Sequence, residues 1–115
     1  MSTAGAVRRH GQRLGLRPEC LAEYVRYHRR IWPEIAAAIA AAGIRNYSIF
    51  HFDGELFGYY EYDGPPAEYE ARMRALAAAP RMREWWDLME AMQIPHPRRR
   101  PGTWWAQMDE VFHQD

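Results

Sequence analysis

Apolar and polar residues change their period several times along the 115-residue chain, and each change marks an element. From Val7 to Leu16, His10, Gln12, Leu14 and Leu16 alternate with Arg9, Gly11, Arg13 and Gly15, the two-residue period of a strand with one face buried. Two polar residues, His10 and Gln12, fall on that inward face. Next, Leu21, Tyr24, Val25, His28, Ile31 and Trp32 recur at steps of three and four, which places them on one face of a helix. Arg17-Pro18-Glu19 opens it, because a proline in the first turn gives up no hydrogen bond. Pro33 then interrupts the pattern and predicts a kink or a restart beside Trp32. The alanine-rich second half, Glu34 to Ala42, ends at Gly43, a residue suited to a left-handed C-cap.

The clearest hairpin follows: Asn46 to Phe52, an Asp53-Gly54 turn of type I′, and Glu55 to Tyr62. Its register pairs Phe52 with Glu55, Phe50 with Phe57, Ser48 with Tyr59 and Asn46 with Glu61. The opposite face holds Tyr47, Ile49, His51, Leu56, Gly58 and Tyr60. Both faces carry aromatic or aliphatic side chains, whereas a sheet with one face in water is apolar on one side only. Helices suffice for one face, so a second subunit is expected on the other.

Asp63-Gly64-Pro65-Pro66 breaks the strand. Tyr69, Met73 and Leu76 predict a helix ending before Pro80, and Met82, Trp85, Trp86, Met89 and Met92 or Gln93 line the inner face of another that stops at Ile94-Pro95. Trp104 to His113 alternates as a last strand. The order strand, helix, strand, strand, helix, strand predicts an α+β, ferredoxin-like βαββαβ subunit with helices on one face and the other open to a dimer partner.

Composition narrows the function. The length predicts one domain over residues 1–115, with 1–6 as a flexible lead. Fifteen basic and fifteen acidic residues balance, which argues against a nucleic-acid partner or a polybasic membrane surface. The basic run Arg98 to Arg100 lies among prolines and reads as a solvated connector. A lone cysteine, Cys20, permits no internal disulfide and suits a reducing cytoplasm; no long apolar run predicts a membrane span. The histidines His10, His28, His51, His96 and His113 lack zinc-ligand spacing, so no metal is expected. Glu34 and Glu61 are available for glycoside hydrolysis, and solvated faces explain both equally well.

A cleft between the His28 helix, the Trp85-Trp86 helix and the hairpin would be lined by Tyr24, His28, Tyr47, Trp85 and Trp86, with His10 as a further candidate. Indole and phenol rings stack on the C–H faces of sugars, while phenol and imidazole bond hydroxyls, so the mixture suits a small polyol. An imidazole one turn from a phenol can exchange protons near neutral pH. The bland alternatives are a core histidine bonded to a carbonyl, and a tryptophan pair with one ring in the core and the other on the surface.

Four motifs in order resemble the L-rhamnose mutarotase family: Leu16-Arg17-Pro18-Glu19 through Glu23-Tyr24 and His28 to Ile31-Trp32-Pro33-Glu34; Gly43 to Phe50; Trp85-Trp86; and Met108-Asp109-Glu110-Val111-Phe112-His113. The resemblance runs from about Gly11 to the end. It implies a dimeric α/β barrel that interconverts the α and β anomers of L-rhamnose without metal or cofactor. His28 would be the proton-donating residue, and Tyr24, Tyr47, Trp85 and Trp86 would bind the sugar. The lead Met1 to Ala6 and the basic loop Pro95 to Gly102 depart from the family pattern. Two rivals share these features: a mutarotase for L-fucose or another 6-deoxyhexose, and a dimeric ferredoxin-like monooxygenase. A non-catalytic sugar-binding module is a third, since this fold hosts many functions.

Overall fold

The structure, a computed structural model, describes residues 7–115; the expected flexible lead lies outside the described residues. Strand β1 (Val7–Leu16) runs through the middle of one antiparallel sheet and leads through a 3-10 turn at Pro18–Cys20 into helix α1 (Leu21–Arg29). Helix α2 (Pro33–Ala41) follows after a break. Pro33 imposes that break: Trp32 before it is held extended, at φ −60° and ψ 132°, as a residue preceding proline must be. Of the two expected outcomes, kink or restart, the chain takes the restart.

Gly43 closes α2 at φ +89°, the left-handed position that glycine occupies without steric cost. Strands β2 (Ile44–Phe52) and β3 (Glu55–Asp63) form the hairpin. Asp53 at φ 50° and Gly54 at φ 78° are both left-handed, as a type I′ turn requires. The expected pairs Phe52 with Glu55, Phe50 with Phe57 and Ser48 with Tyr59 are present. The pairing of Asn46 with Glu61 is not. Glu61 pairs with Arg45 instead, because a bulge places Asn46 and Tyr47 together opposite Tyr60. Asn46 takes a left-handed φ of 50° there and keeps Glu61 only through its side chain, Nδ2 donating to the carboxylate at 2.9 Å.

Helices α3 (Tyr69–Ala78) and α4 (Pro80–Met92) complete the helical layer, with Pro80 again separating two helices through an extended Ala79. The last strand differs most from expectation. Trp104 to His113 is not a continuous strand; only Ala106–Met108 pairs with β1, while Gln93–Ile94 pairs farther along the same edge. These are β4 (Gln93–Ile94) and β5 (Ala106–Met108), two pieces of one edge position separated by the loop 95–105. Prolines at 95, 97 and 101 lack the N–H a ladder needs, which keeps the loop out of the sheet. The sheet order is β2-β3-β1, then β4 and β5 on the far edge of β1. This is the ferredoxin-like arrangement with its outer strand split.

Leu14, Leu16, Tyr24, Ile35, Leu56, Met82, Trp85 and Met89 pack between the sheet and the helices. The other face of the sheet stays open: Phe50 is 65% exposed and Phe52 75%. Arg13 pairs there with Glu55 and lies over the Phe57 ring, and Arg9 binds Glu110 at 2.8 Å. Among the described residues, no helix is long and apolar enough to cross a membrane.

Candidate active site

Two connected cavities of about 600 and 460 Å³ lie between the helices and the sheet, sharing Tyr24, His28, Tyr47, Trp85 and Trp86 in their walls. Together they are one cleft, of the size that takes a small molecule. All five residues expected from the sequence therefore meet. His10, the further candidate, does not line it. Its ring is stacked against Tyr60 and Tyr69 at 4.6 and 5.3 Å, with Nε2 buried and unpartnered. Glu34 and Glu61 also lie outside the cavity walls; Arg81 binds the first at 2.6 Å, and Tyr59 and Asn46 bind the second.

Helix periodicity brings Tyr24 and His28 onto the same side of α1, one turn apart, with ring centroids 4.4 Å from each other. Nδ1 of His28 lies 2.8 Å from the Tyr24 main-chain oxygen. A carbonyl can only accept, so Nδ1 carries the hydrogen and Nε2 of the neutral ring is left with a lone pair. Burial is the larger influence and lowers the imidazole pKa below its ordinary 6.5, against the raising effect of the carbonyl bond. The bland alternative of a carbonyl-bonded histidine is thus half right: one nitrogen is anchored, and that anchoring orients the other.

Burial raises the Tyr24 phenol far above its ordinary value, opposed by a hydrogen bond from Gln93. The hydroxyl is consequently protonated at any physiological pH. Tyr47 reaches the cleft from the bulge, a device that re-aims a side chain beside a site. Although Tyr47 as a residue is 40% exposed, burial pushes its hydroxyl up to about 12. The exposure belongs to the residue as a whole, while the titrating end sits in the cleft.

The tryptophans differ from each other. Trp85, 5% exposed, packs edge-on against Tyr27, His28 and Trp32 and is as much core as wall. Trp86 is half-buried, with Arg83 over its ring at 5.4 Å. It presents the more accessible aromatic surface, as adjacent helix positions about 100° apart would.

Sequence reasoning missed the polar end of the cleft, formed by Gln12, Gln93, Trp104, Trp105 and Gln107. Gln107 donates to Gln12 at 3.1 Å, Trp104 to Gln93 at 2.8 Å, and Gln93 to Tyr24 at 2.9 Å. Gln12 and Gln93 both stood on predicted inward faces, and an inward glutamine is the signal that could have found them. Arg99, in the run read as a solvated connector, bonds the main-chain oxygens of His96 and Thr103 and so shapes the loop that carries Trp104. Gly58, opposite Gln12, leaves room for this packing: an added Cβ would lie 3.2 Å from Gln12 Cγ and 3.4 Å from the Trp105 ring.

A family model described as L-rhamnose mutarotase matches residues 9–114. The chain belongs to the L-rhamnose mutarotase family. An L-rhamnose mutarotase from Opitutus terrae is 42% identical over 98 residues, 84% of this chain and 88% of that protein. One from Lactiplantibacillus plantarum is 32% identical, covering 93% of this chain and 98% of its own length. The crystal structure of an L-rhamnose mutarotase from Formosa agariphila superposes with a TM-score of 0.72 at 24% identity, over 94% of this chain and 99% of that one. That likeness establishes the mutarotase family's ferredoxin-like fold here.

Proposed function

We propose that the protein is an L-rhamnose mutarotase, interconverting the α and β pyranose anomers by acid–base ring opening without a metal or cofactor. Family membership supports the reaction. The observation that carries it on this chain is the pairing, one helical turn apart, of a hydrogen-bearing phenol at Tyr24 with an imidazole lone pair at His28 Nε2.

Anomerisation needs both at once. His28 Nε2 removes the proton from the anomeric hydroxyl while Tyr24 supplies one to the ring oxygen; the bond from the ring oxygen to the anomeric carbon breaks and a carbonyl forms. Rotation about the bond beside that carbonyl presents its other face. Closure runs the same transfers backwards: the imidazolium returns its proton to the new anomeric oxygen and the tyrosinate recovers its own. His28 is thus the proton donor in the closing direction; the resemblance gives Tyr24 a binding part only, and its service as the acid on opening is an addition made by this proposal. Tyr47 bonds a sugar hydroxyl from the hairpin side, and Trp85 and Trp86 stack on the ring's C–H face.

The same proposal includes a homodimer through the open sheet face, supported by exposed Phe50 and Phe52 beside Phe57. A cytoplasmic location accords with the single unpaired Cys20. Exchange NMR on the anomeric protons of L-rhamnose tests the activity, with L-fucose and L-mannose in parallel. Exchange above the spontaneous rate on rhamnose is expected; acceleration of fucose alone would move the substrate, and none on any of the three would end the mutarotase reading.

A further inference from the structure

Three side chains at the polar end of the cleft form a line of hydrogen bonds whose direction chemistry forces. Trp104 Nε1 lies 2.8 Å from Gln93 Oε1, and Gln93 Nε2 lies 2.9 Å from Tyr24 Oη. An indole nitrogen only donates, so the amide atom facing it must be the oxygen. The atom facing Tyr24 is then the amide nitrogen, which also only donates. Turning the amide over would set two donors against each other at Trp104. Oη of Tyr24 therefore accepts from Gln93, and its own hydrogen must point elsewhere. With Gln93 and Tyr24 each 4% exposed, the direction left open is the cleft that both line.

We propose that Gln93, locked by Trp104, is a positioning residue that makes Tyr24 an obligate donor toward the sugar. This rests on the mutarotase reading above and deepens it. His28 Nε2 is made an acceptor by a main-chain carbonyl, and Tyr24 is made a donor by two side chains from the C-terminal part of the sequence. The acid and the base are told apart before substrate arrives. Gln93 touches no reacting atom in this scheme; it acts through Tyr24 alone.

The test is Gln93→Glu, which keeps shape and volume. A carboxylate accepts only, so it takes the Trp104 hydrogen and the Tyr24 hydrogen together, turning Tyr24 away from the sugar. Protonating that carboxyl restores a donor. Rates for wild type and Q93E are measured by anomeric exchange NMR across pH. Expected is a fall of about tenfold or more in kcat at pH near 7.5 with a smaller rise in KM, since the Tyr24 hydrogen is aimed at the bound sugar and is transferred only during reaction. Part of the loss should return as pH falls through the buried carboxyl's raised pKa. The other titratable and charged groups around the cleft are His28, Arg29, Tyr47, His51, Tyr60, Tyr69, Arg83 and Glu90, present in both proteins; the ratio of mutant to wild type removes their contribution.

A merely structural role would lower the rate at every pH without that recovery. If Q93E does not fold, Trp104→Phe removes the lock from the less buried end, and kcat should fall about threefold as the amide samples both orientations, RT ln 3 being a fraction of a kcal/mol. Wild-type kcat at neutral pH in folded Q93E, or wild-type kcat in W104F, overturns the proposal. A wild type that accelerates no sugar overturns the mutarotase reading itself, which keeps the two failures apart.

Discussion

His28 donates through Nδ1 to the main-chain oxygen of Tyr24 at 2.8 Å, so the residue that precedes it by one turn fixes which of its nitrogens faces the cleft. The bond needs no second element: the helix sets a histidine over the carbonyl one turn back, whose second lone pair can accept from the ring. Here Trp85, edge-on to His28 with ring centroids 5.6 Å apart, packs against the ring on that carbonyl. Replacement by asparagine, which cannot cycle a proton, should lower anomer exchange by about 10² to 10⁴-fold. Exchange NMR on folded His28→Asn measures this, and an unchanged rate would remove His28 from the mechanism.

Because burial lowers the His28 pKa below its ordinary 6.5, the lone pair is available at neutral pH. The enzyme-catalysed rate should fall on the acid side with a midpoint below about 6.5, as Nε2 becomes protonated. A drop already centred above the ordinary imidazole value would contradict the assignment.

Tyr24→Phe deletes the acceptor of the Gln93 amide and leaves a buried N–H unpaired, a loss of about 1–3 kcal/mol. Urea unfolding should show that cost together with an approximately 10²-fold fall in exchange rate. A phenylalanine variant as stable as wild type would mean that the amide finds another partner.

His10 is a second, half-buried imidazole with Nε2 inside the protein, its pKa lowered by burial first and by the Arg8 charge second. The unfolded chain binds a proton that the folded one resists. The contribution to stability is therefore complete above the ordinary value of about 6.5 and is lost as pH falls through the depressed folded value. His10→Phe, which keeps the stack on Tyr60 and Tyr69, should flatten the decline of the urea midpoint between about pH 7 and pH 5.

If the open face of the sheet joins two copies, Phe50→Glu should sediment as a monomer where wild type sediments as a dimer. A charge at the centre of an apolar contact has no partner there. A monomeric wild type would refute the dimer.

The helices and hairpin were readable because their signals are local: Pro33 and Pro80 mark restarts, Gly43 a C-cap, and Asp53-Gly54 a type I′ turn. The five cleft residues followed from periodicity together with the family motifs. The bulge was not read: Asn46 tolerates the left-handed φ it takes there, but only the pairing with β3 exposes the extra residue. The outer strand was misread for a related reason. The alternation from Trp104 to His113 is real, yet pairing with β1 sustains only Ala106–Met108, and the pairing of Gln93–Ile94 depends on residues over seventy positions away. The Trp104, Gln93 and Tyr24 line joins three elements and has no signature in any one of them.

Splitting the outer strand separates two tasks that a continuous strand would perform together. β4 and β5 hold the sheet edge, and the stretch between them is free to change length and composition while delivering Trp104 and Trp105 to the cleft. The loop is an exchangeable cassette: grafting another sequence between Ile94 and Trp104 would redraw one side of the binding chamber while the sheet stayed in place.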